Sequence, residues 1–359
     1  MNIKHPQSVS ALVVNHNGGQ DVLNCLKALF QQPFPLEKII VVDNASTDNS
    51  QSNILRQYPD VDLIQLDQNL GLSKARNIGL NSISSDLVLV LDDDVYVHKD
   101  CIHRLHNTYK RYNSAVVCPR ILLYPDTKTI QCDGAEPHFI GTLKLRRAYQ
   151  PQNTLTSAAT EVLGCIGACT LVNRKIVLAA GGFDELYFFY FEDLEFSLRM
   201  RSFGYSIVCE TKAIVYHDQG IGTPRLSFRG NTPYPKRRAY FNIRHRLMTL
   251  LIHYKLRTLI VLSPVLAIYE LAMFVVVIKR GWFNIWWKAV VSIFKSKNYI
   301  LARRIFVSKN RRRCDRELLS GGALPFAYGF IQNRTEQMGV RALSSILNLY
   351  WRIVKYSIG

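Results

Sequence analysis

The first hundred residues alternate short apolar runs with segments of helical periodicity, and this alternation limits the possible folds more than any other feature of the chain. The runs Val9–Val14, Lys38–Asp43 and Leu87–Leu91 have the length and the β-branched content of strands. Between the first two lies Gln20–Gln32, whose apolar residues repeat at helical spacing until Pro33 ends the pattern. Strands that alternate with helices in this way build parallel sheets from βαβ units. The pattern predicts a doubly wound α/β domain, with Leu87–Leu91 buried on both faces of its sheet.

The pattern becomes irregular after residue 115, where Pro119 and later prolines interrupt it. Apolar residues return in Glu161–Val172, and a helix is predicted from Asp193 to Phe203. We therefore expect a first domain over residues 1–225 and a second region over residues 226–359.

Positive charge is concentrated in the second region. The formal net charge is +18, yet residues 1–224 hold 20 Lys and Arg against 23 Asp and Glu, whereas residues 225–359 hold 25 against 4. An excess of this kind favours anionic partners such as nucleic acid, lipid headgroups or phosphorylated substrates.

The cysteines and the N-terminus bear on the cellular compartment. The eight cysteines lack the CxxC spacing of a metal or redox site, and the first residues lack the apolar core of a signal peptide. A reducing cytosol is the expected location of the first domain.

The apolar stretch Leu259–Ile278 is long enough to cross a bilayer as a helix of about 30 Å. Glu270 near its centre and Pro264 within it oppose a simple span. A single span from a cytosolic first domain would also place the sixteen Lys and Arg residues beyond Val277 outside, contrary to the positive-inside rule. We expect a re-entrant or interfacial arrangement, with the tryptophan-rich segment 282–287 at the level of the headgroups. The alternative is a buried helix pair that closes the first domain.

Three aspartates, Asp92, Asp93 and Asp94, follow the predicted strand Leu87–Leu91. Ligands of open α/β sheets bind at the carboxyl ends of the strands. Adjacent carboxylates repel one another, and a hard divalent cation that carries a nucleotide diphosphate relieves the repulsion. The position favours Mg²⁺ or Mn²⁺ over the alternative, a solvated acidic turn.

Polar residues also follow the first two predicted strands. Asp43 precedes a polar turn in which Ser46 is a candidate helix cap. The Asp43 carboxylate either accepts hydrogen bonds from a nucleotide base or ribose, or belongs to a plain capping turn. The turn Asn15–Gly19 lacks both the G-x-G-x-x-G and the GK[ST] patterns, which argues against NAD chemistry and P-loop phosphoryl transfer. Asn15, Asp43 and Ser46 are candidate nucleotide contacts.

A second acidic pair, Glu192 and Asp193, follows the aromatic run Tyr187–Phe191. An apolar wall raises the pKa of a neighbouring carboxylate and suits it to act as a general base. The alternative is that Asp193 caps its helix. His217, taken alone, is more often a structural histidine than a ligand.

Six motifs occur in a fixed order: VVNHNGG, VVDNASTDNS, NLGLSKARNIGL, LVLVLDDDV, GGFDE and FFYFEDLEFSLRMRSFGY. Over about residues 8–220 this ordered set resembles the family 2 inverting glycosyltransferases of the GT-A fold, and in particular their rhamnosyltransferase-like branch. The resemblance implies a Rossmann-like mixed sheet, followed by a helical, membrane-associated extension.

The resemblance assigns donor-binding roles to five positions. Asp43 corresponds to the aspartate that binds the base or ribose. Asn69, Gly71, Arg76 and Asn77 correspond to a segment near the base and the diphosphate.

The resemblance also assigns the metal site and the base. Asp92 and Asp94 correspond to the D-x-D element, with Asp93 between them and Asp94 as the implied direct metal ligand. His217 corresponds to a further metal or diphosphate contact. The pair that contains Glu192 corresponds to the family's Glu-Asp pair, in which Asp193 activates the acceptor.

One further element departs from the pattern of the branch. Tyr240 and Arg244 resemble its Tyr-x-x-x-Arg-Asn element, but His245 replaces the Asn. The role of this segment is therefore left open.

The implied activity is metal-dependent transfer of a sugar, with rhamnose as one candidate, from a nucleotide sugar to a hydroxyl of a lipid-linked or polysaccharide acceptor in cell-surface glycan biosynthesis. The basic C-terminal region fits an acceptor on a polyprenyl diphosphate at the cytoplasmic face of the plasma membrane. Nucleic acid is disfavoured, because no aromatic RNA-binding motif accompanies Arg311–Arg313.

Two rival functions remain at this stage. A sugar-1-phosphate nucleotidylyltransferase shares the sheet topology, but it needs Arg and Lys in a Gly-rich first turn, where this chain has Asn15–Gly19. A non-catalytic membrane scaffold that senses sugar nucleotides is the other rival.

Overall fold

The computed structural model describes residues 7–154, 159–218, 234–327, 329–331 and 333–358. Its strands in these ranges are β1 (Val9–Asn15), β2 (Ile39–Asp43), β3 (Asp62–Gln65), β4 (Leu87–Asp92), β5 (Val95–Val97), β6 (Val116–Leu123), β7 (Ile130–Cys132), β8 (Ala135–His138), β9 (Thr142–Leu145), β10 (Thr160–Val162), β11 (Cys169–Asn173) and β12 (Ile207–His217). Its α-helices in these ranges are α1 (Gly19–Phe30), α2 (Ser50–Gln57), α3 (Leu72–Ser82), α4 (Cys101–Tyr112), α5 (Arg174–Ala179), α6 (Glu192–Ser202), α7 (Lys236–His253), α8 (Leu256–Lys279), α9 (Phe283–Lys295), α10 (Lys297–Asn310), α11 (Asp315–Leu318) and α12 (Arg334–Val354).

A mixed sheet forms the centre of the molecule, with the strand order β10-β12-β6-β11-β4-β1-β2-β3. The strands β1 to β4 are mutually parallel, as the βαβ pattern predicts, whereas β11 runs antiparallel between β4 and β6. β5 pairs with the end of β12, β7 pairs with β6, and β8 and β9 form a separate hairpin. The doubly wound α/β prediction is therefore confirmed, with an antiparallel insertion that makes the sheet mixed.

Both faces of β4 are buried, which confirms the prediction from its continuous apolar sequence. Leu89 and Leu91 belong to the core beneath α1 and α4. Val88 and Val90 belong to the opposite core, beneath α3 and α6. All four side chains have no solvent-exposed surface, and their burial fixes the position at which the strand ends in the aspartates.

The second half of the sheet departs from the sequence pattern at Pro119. β6 runs through this residue, although proline cannot donate a ladder hydrogen bond and is rare inside a sheet. The pairing of β12 with β6 shifts register between Glu210 and Ile214, directly opposite Pro119. The irregular ladder explains how a central strand accommodates the proline.

The C-terminal helices share a hydrophobic core with the sheet. Met248 and Ile252 of α7 and Val307 of α10 lie in the same buried cluster as Phe196 and Met200 of α6. The predicted boundary at residue 225 lies outside the described residues, so the division into 1–225 and 226–359 stays a prediction.

α8 is long and apolar enough to span a membrane, by length and composition. Of its most apolar stretch 22% is buried, so a buried helix pair does not describe it. The helix continues through Pro264 without a break, and its Glu270 forms an ion pair with Arg246 of α7. The carboxylate that opposes a simple span is therefore paired within the protein.

A buried charge network connects α6 with α7 and α10. The spacing of Glu195 and Arg199 predicts a helix-surface ion pair worth about 0.3 kcal/mol, but both side chains are fully buried and joined by hydrogen bonds of 2.7 and 2.9 Å. Arg303 of α10 and His253 of α7 lie 3.5 and 3.4 Å from the Glu195 carboxylate. The network ties the C-terminal helices to α6.

Replacing Arg199 with methionine should destabilise the fold by about 3 kcal/mol, because the change leaves the buried Glu195 carboxylate with weaker partners. Denaturant unfolding of the purified protein measures the change. The matched control is Arg104→Met, which removes an exposed ion pair of 3.8 Å with Asp100 and should have little effect. Equal stability of the two variants would contradict a structural role for the network.

Candidate active site

A cavity of about 1280 Å³ opens where β1, β2 and β4 end. The polar side chains in its wall include His16, Asn44, Asn69, Asp92, Asp93, Asp94, Gln131, Glu192, Asp193 and His217. Side chains of α7, α8, residues 323–327 and residue 330 form the other wall. A smaller cavity of about 600 Å³ lies beside Arg120 and Lys212, and none of these carboxylates lines it in the described structure. We therefore take the larger cavity as the candidate active site.

His217 comes together with Asp92 and Asp94 although it lies more than a hundred residues after them in the chain. Antiparallel pairing of β5 with β12 places His217 opposite Val95, next to Asp94. The His217 Nε2 atom lies 3.3 Å from Asp94 Oδ1, and ligand atoms of the three side chains all lie within 4.8 Å of one another. The predicted metal-site residues therefore form one cluster.

The imidazole of His217 is oriented by Gln131 of β7, a residue that sequence reasoning missed. The Nδ1 atom lies 2.8 Å from Gln131 Oε1, so donation from Nδ1–H leaves the Nε2 lone pair facing the carboxylates. Burial opposes the charged form of His217, but Asp94, Asp92 and Asp218 outweigh burial and raise its pKa. No motif marks Gln131, because β7 is short and lies far from the aspartates in sequence.

The cluster fits a divalent cation in its chemistry. Two carboxylates and one imidazole are ligands that Mn²⁺ and Mg²⁺ accept, with carboxylates preferred by Mg²⁺. Burial raises the pKa of Asp92 even though Arg76 is bonded to it. Carboxylates held this close favour uptake of a proton or a cation.

Asp93 has a different position from its two neighbours. Its Oδ2 accepts a hydrogen bond of 3.1 Å from the His16 backbone N–H, and a Cβ on Gly18 would lie 2.7 Å from the same oxygen. Burial, followed by the charge of Asp94, raises its pKa. Asp93 therefore supports the turn after β1, and that turn requires glycine at position 18.

The predicted nucleotide contacts Asn15, Asp43 and Ser46 are not among the residues that line the cavity in the described structure. Asp43 is fully buried, and its carboxylate accepts hydrogen bonds from Asn15 Nδ2 at 2.6 Å, Ser46 Oγ at 2.5 Å and Gln51 Nε2 at 2.5 Å. In this arrangement the carboxylate shapes the turn after β2. The neighbouring Asn44 lines the cavity instead.

Asn69 and Gly71 form part of the cavity wall. Asn44 Nδ2 donates to Asn69 Oδ1 at 3.0 Å. Gly71 has φ +85°, and a Cβ there would lie 2.7 Å from Phe188, while the Leu72 N–H donates to the Phe188 carbonyl at 2.9 Å. This segment holds the aromatic run Tyr187–Phe191, which we call the aromatic loop and which leads into α6.

Asn77, expected near the donor, holds protein backbone. Its Nδ2 donates to the Phe183 carbonyl and its Oδ1 accepts from the Phe183 N–H, both at 2.8 Å. A Cβ on Gly182 would lie 2.5 Å from Asn77 Oδ1. Asn77 therefore secures the GGFDE segment, and its place near the diphosphate stays a prediction.

Arg76, also expected near the diphosphate, is fully buried between the two acidic sites. Its guanidinium donates to Asp92 Oδ1 at 2.7 Å and to the Gly167 carbonyl at 2.9 Å. It also lies 3.6 Å from Glu192 Oε1. Arg76 thus joins the metal-site carboxylates to the second acidic pair.

Glu192 and Asp193 begin α6 and face the same cavity. The residue that precedes the helix is Phe191, in the left-handed conformation with φ +68°, so the alternative that Asp193 is the helix cap is wrong. Burial raises the pKa of Glu192 to about 8 and the pKa of Asp193 to about 6. The two carboxylates titrate as a coupled pair, and their raised pKa values suit the pair to accept a proton near neutral pH.

The segment with the departure at His245 supports the aromatic loop. Arg244 Nη1 donates to the Leu186 carbonyl at 2.9 Å, and His245 Nδ1 lies 2.8 Å from the Tyr190 carbonyl. Burial lowers the pKa of His245 to about 3, so its ring is neutral. The segment that contains Tyr240, Arg244 and His245, whose role the sequence left open, therefore positions the residues that precede Glu192.

Known proteins are similar in sequence to about half of this chain. Residues 10–179 match the sequence model of Glycosyl transferase family 2. The low-salt glycan biosynthesis hexosyltransferase Agl10 of Haloferax volcanii is 25% identical over 200 residues, which are 54% of this chain and 61% of that protein. The N-acetylglucosaminyl-diphospho-decaprenol L-rhamnosyltransferase of Mycobacterium tuberculosis is 27% identical over 209 residues, 52% of this chain and 68% of that protein.

Solved structures share the fold. GalNAc-T7 with UDP, GalNAc and Mn²⁺ superposes with a TM-score of 0.55 at 15% identity, over 69% of this chain and 48% of its own. The mannosyltransferase PcManGT of Pyrobaculum calidifontis, in complex with GDP-Man and Mn²⁺, superposes with a TM-score of 0.51 at 13% identity, over 98% of this chain and 88% of its own. Residues 10–179 of this chain are therefore a glycosyl transferase family 2 domain, carried on the GT-A fold.

Proposed function

We propose that this protein is a metal-dependent inverting glycosyltransferase, which moves a sugar from a nucleoside diphosphate to a hydroxyl of a lipid-linked or polysaccharide acceptor. The observation that carries the proposal is the presence, in one cavity, of the cluster Asp92, Asp94 and His217 and of the pair Glu192 and Asp193. The cluster is suited to the diphosphate side of the donor, and the pair is suited to the acceptor side.

Asp92, Asp94 and His217 are the residues that would hold a Mg²⁺ or Mn²⁺ ion. When bound, the ion supplies positive charge that stabilises the departing nucleoside diphosphate. The chain itself holds the ligands in place, through Gln131 at His217 and through Arg76 at Asp92.

Asp193 takes the proton of the acceptor hydroxyl as that oxygen attacks the anomeric carbon. Attack occurs on the face opposite the departing diphosphate, so the anomeric configuration inverts. Burial raises the pKa of both Glu192 and Asp193, which suits the pair to accept this proton near neutral pH.

The relatives support the substrate classes in this proposal. The mycobacterial relative is named for transfer of rhamnose to a diphospho-decaprenol carrier, and the solved structures contain UDP or GDP-mannose. Rhamnose, N-acetylhexosamines and mannose are therefore the donors to test first, and a polyprenyl diphosphate is the first acceptor carrier.

The C-terminal helices supply the surface for a membrane at its cytoplasmic face. Leu271, Val275 and Ile278 lie along one side of α8 and are 67%, 50% and 54% exposed. Apolar side chains of α9 and α12 are similarly exposed, Phe294 at 70% and Ile353 at 69%. Exposed apolar surface flanked by many Lys and Arg residues favours an anionic bilayer.

Asp94→Asn should lower the rate of sugar transfer by about 100-fold, because it removes one carboxylate from the cation site. The assay measures release of nucleoside diphosphate from a panel of UDP-, dTDP- and GDP-sugars, with added Mg²⁺ or Mn²⁺. The matched control is Asp62→Asn, which removes an exposed carboxylate paired with Lys38 and should retain the wild-type rate.

A wild-type rate that persists after chelation would overturn metal dependence. Release of pyrophosphate from a nucleoside triphosphate and a sugar phosphate would instead support the nucleotidylyltransferase rival. Sugar-nucleotide binding without any turnover would support the scaffold.

Asp193→Asn should lower transfer by about 100- to 10000-fold while donor affinity stays within twofold, because the general base acts only on the acceptor. The wild-type kcat/KM should fall as the pH decreases below about 6, since protonation of Asp193 removes the base. Asp86→Asn, at an exposed carboxylate near Lys175, is the control and should behave as wild type. Retained turnover in Asp193→Asn would exclude this residue as the base.

The double variant Leu271→Glu with Val275→Glu should reduce binding to vesicles that contain phosphatidylglycerol by at least about tenfold, because charge replaces exposed apolar surface. Co-sedimentation with the vesicles measures binding. Leu55→Glu is the control, since Leu55 is an equally exposed apolar residue on α2, at 50%. Equal loss of binding in the control, or no loss in the double variant, would contradict docking through α8.

A further inference from the structure

Three polar side chains on one face of α7, which we call the arginine stripe, line the cavity that contains Asp193. Arg238, Asn242 and Arg246 are spaced four residues apart, so they lie along one side of the helix, and all three line the cavity. The mechanism proposed above uses none of them.

Arg246 is 6% exposed and has an incompletely bonded guanidinium. Its Nε donates to the Ile140 carbonyl at 2.8 Å, Nη1 pairs with Glu270, and its Cζ lies 4.3 Å from the centre of the Tyr269 ring. The buried Nη2 has no hydrogen-bond partner among the residues that the structure describes. A buried charged donor without an acceptor is costly, and an anionic ligand in the cavity would satisfy it.

Arg238 places a second cation in the cavity wall, next to Tyr190. Its Cζ lies 4.5 Å from the centre of the Tyr190 ring, and Tyr190 precedes Glu192 by two residues. Its Nε also has no partner in the described part of the chain. Between the two arginines, Asn242 Nδ2 donates to the Tyr234 hydroxyl at 2.6 Å, so the stripe is held in place by its own neighbours.

The wall next to the stripe is apolar and aromatic. Its side chains come from α8, from α9 and its N-terminal flank, and from the described segments 323–327 and 329–331: Met273, Phe274, Trp282, Trp286, Phe326 and Phe330. The opposite surface of α8 is the exposed apolar face described above. A ligand that fits both parts of this wall has an anionic head and a hydrocarbon tail.

We propose that Arg238, Asn242 and Arg246 bind the phosphate groups of a lipid-linked acceptor, and that the adjoining aromatic wall binds the first part of its hydrocarbon chain. The inference rests on the proposed function, for which it locates the acceptor. The acidic residues at the strand ends and the cations on α7 belong to different elements that line the same cavity, and the proposal assigns the donor phosphates to the former and the acceptor phosphates to the latter.

The test measures binding of farnesyl diphosphate to the full-length protein in nonionic detergent with EDTA, so that metal-dependent donor binding does not contribute. Trp282 and Trp286 line the proposed site, and quenching of their fluorescence reports occupancy. Arg238→Gln and Arg246→Gln should each weaken binding by at least about tenfold. Arg341→Gln, an exposed arginine of α12, is the control for loss of charge and should bind as wild type.

Two further ligands separate the head from the tail. Inorganic diphosphate lacks the tail and farnesol lacks the phosphates, so both should bind more weakly than farnesyl diphosphate. Equal binding of inorganic diphosphate would exclude the aromatic wall, and equal binding of farnesol would exclude the arginine stripe.

Asp94→Asn distinguishes this site from the donor site and should leave farnesyl diphosphate binding unchanged. Loss of binding in that variant, or wild-type binding in Arg238→Gln, would overturn the inference. If Arg246→Gln lowers the melting temperature, the partly exposed Arg238 decides the outcome. Transfer that survives chelation, together with weakened binding in the arginine variants, would refute the proposed metal dependence and leave the acceptor site intact.

Discussion

The buried guanidinium of Arg76 is the interaction on which the site depends. It is bonded to Asp92 at the end of β4 and lies 3.6 Å from Glu192 at the start of α6. Without a cation between them, two groups of carboxylates would repel each other across the cavity. The chain approaches Arg76 closely, since a Cβ at Gly167 would lie 2.6 Å from its Nη1. One arginine therefore compensates the charge of both acidic sites and fixes their relative position.

The strands, the helices of the first half and the position of the aspartates could be predicted from sequence, because hydrophobic periodicity is a local signal. The role of Arg76 could not be predicted, since a basic residue in a helical pattern is normally exposed and its partners are distant in sequence. For Asp43 the sequence predicted the position after β2, but it did not predict the hydrogen bonds to the surrounding turn. Gln131 gave no signal, because its function depends on where β7 meets His217.

The C-terminal region illustrates what composition alone leaves undetermined. Apolar content predicts a helix near residues 259–278, but it does not distinguish the side that faces the protein from the side that does not. In the structure Tyr269 and Glu270 face the cavity, whereas Leu271 is 67% exposed. The region therefore contributes both to the cavity and to an apolar outer surface, and its cavity-facing residues are not recognisable from the family motifs.

The position of α8 between the cavity and this outer surface has a kinetic consequence for an enzyme docked in the proposed way. An acceptor anchored in the bilayer would reach Asp193 by lateral diffusion within the leaflet, while the water-soluble donor would arrive from bulk solution. The rate would then depend on the number of acceptor molecules per unit membrane area, and diluting the bilayer with inert lipid would slow catalysis at constant total acceptor concentration.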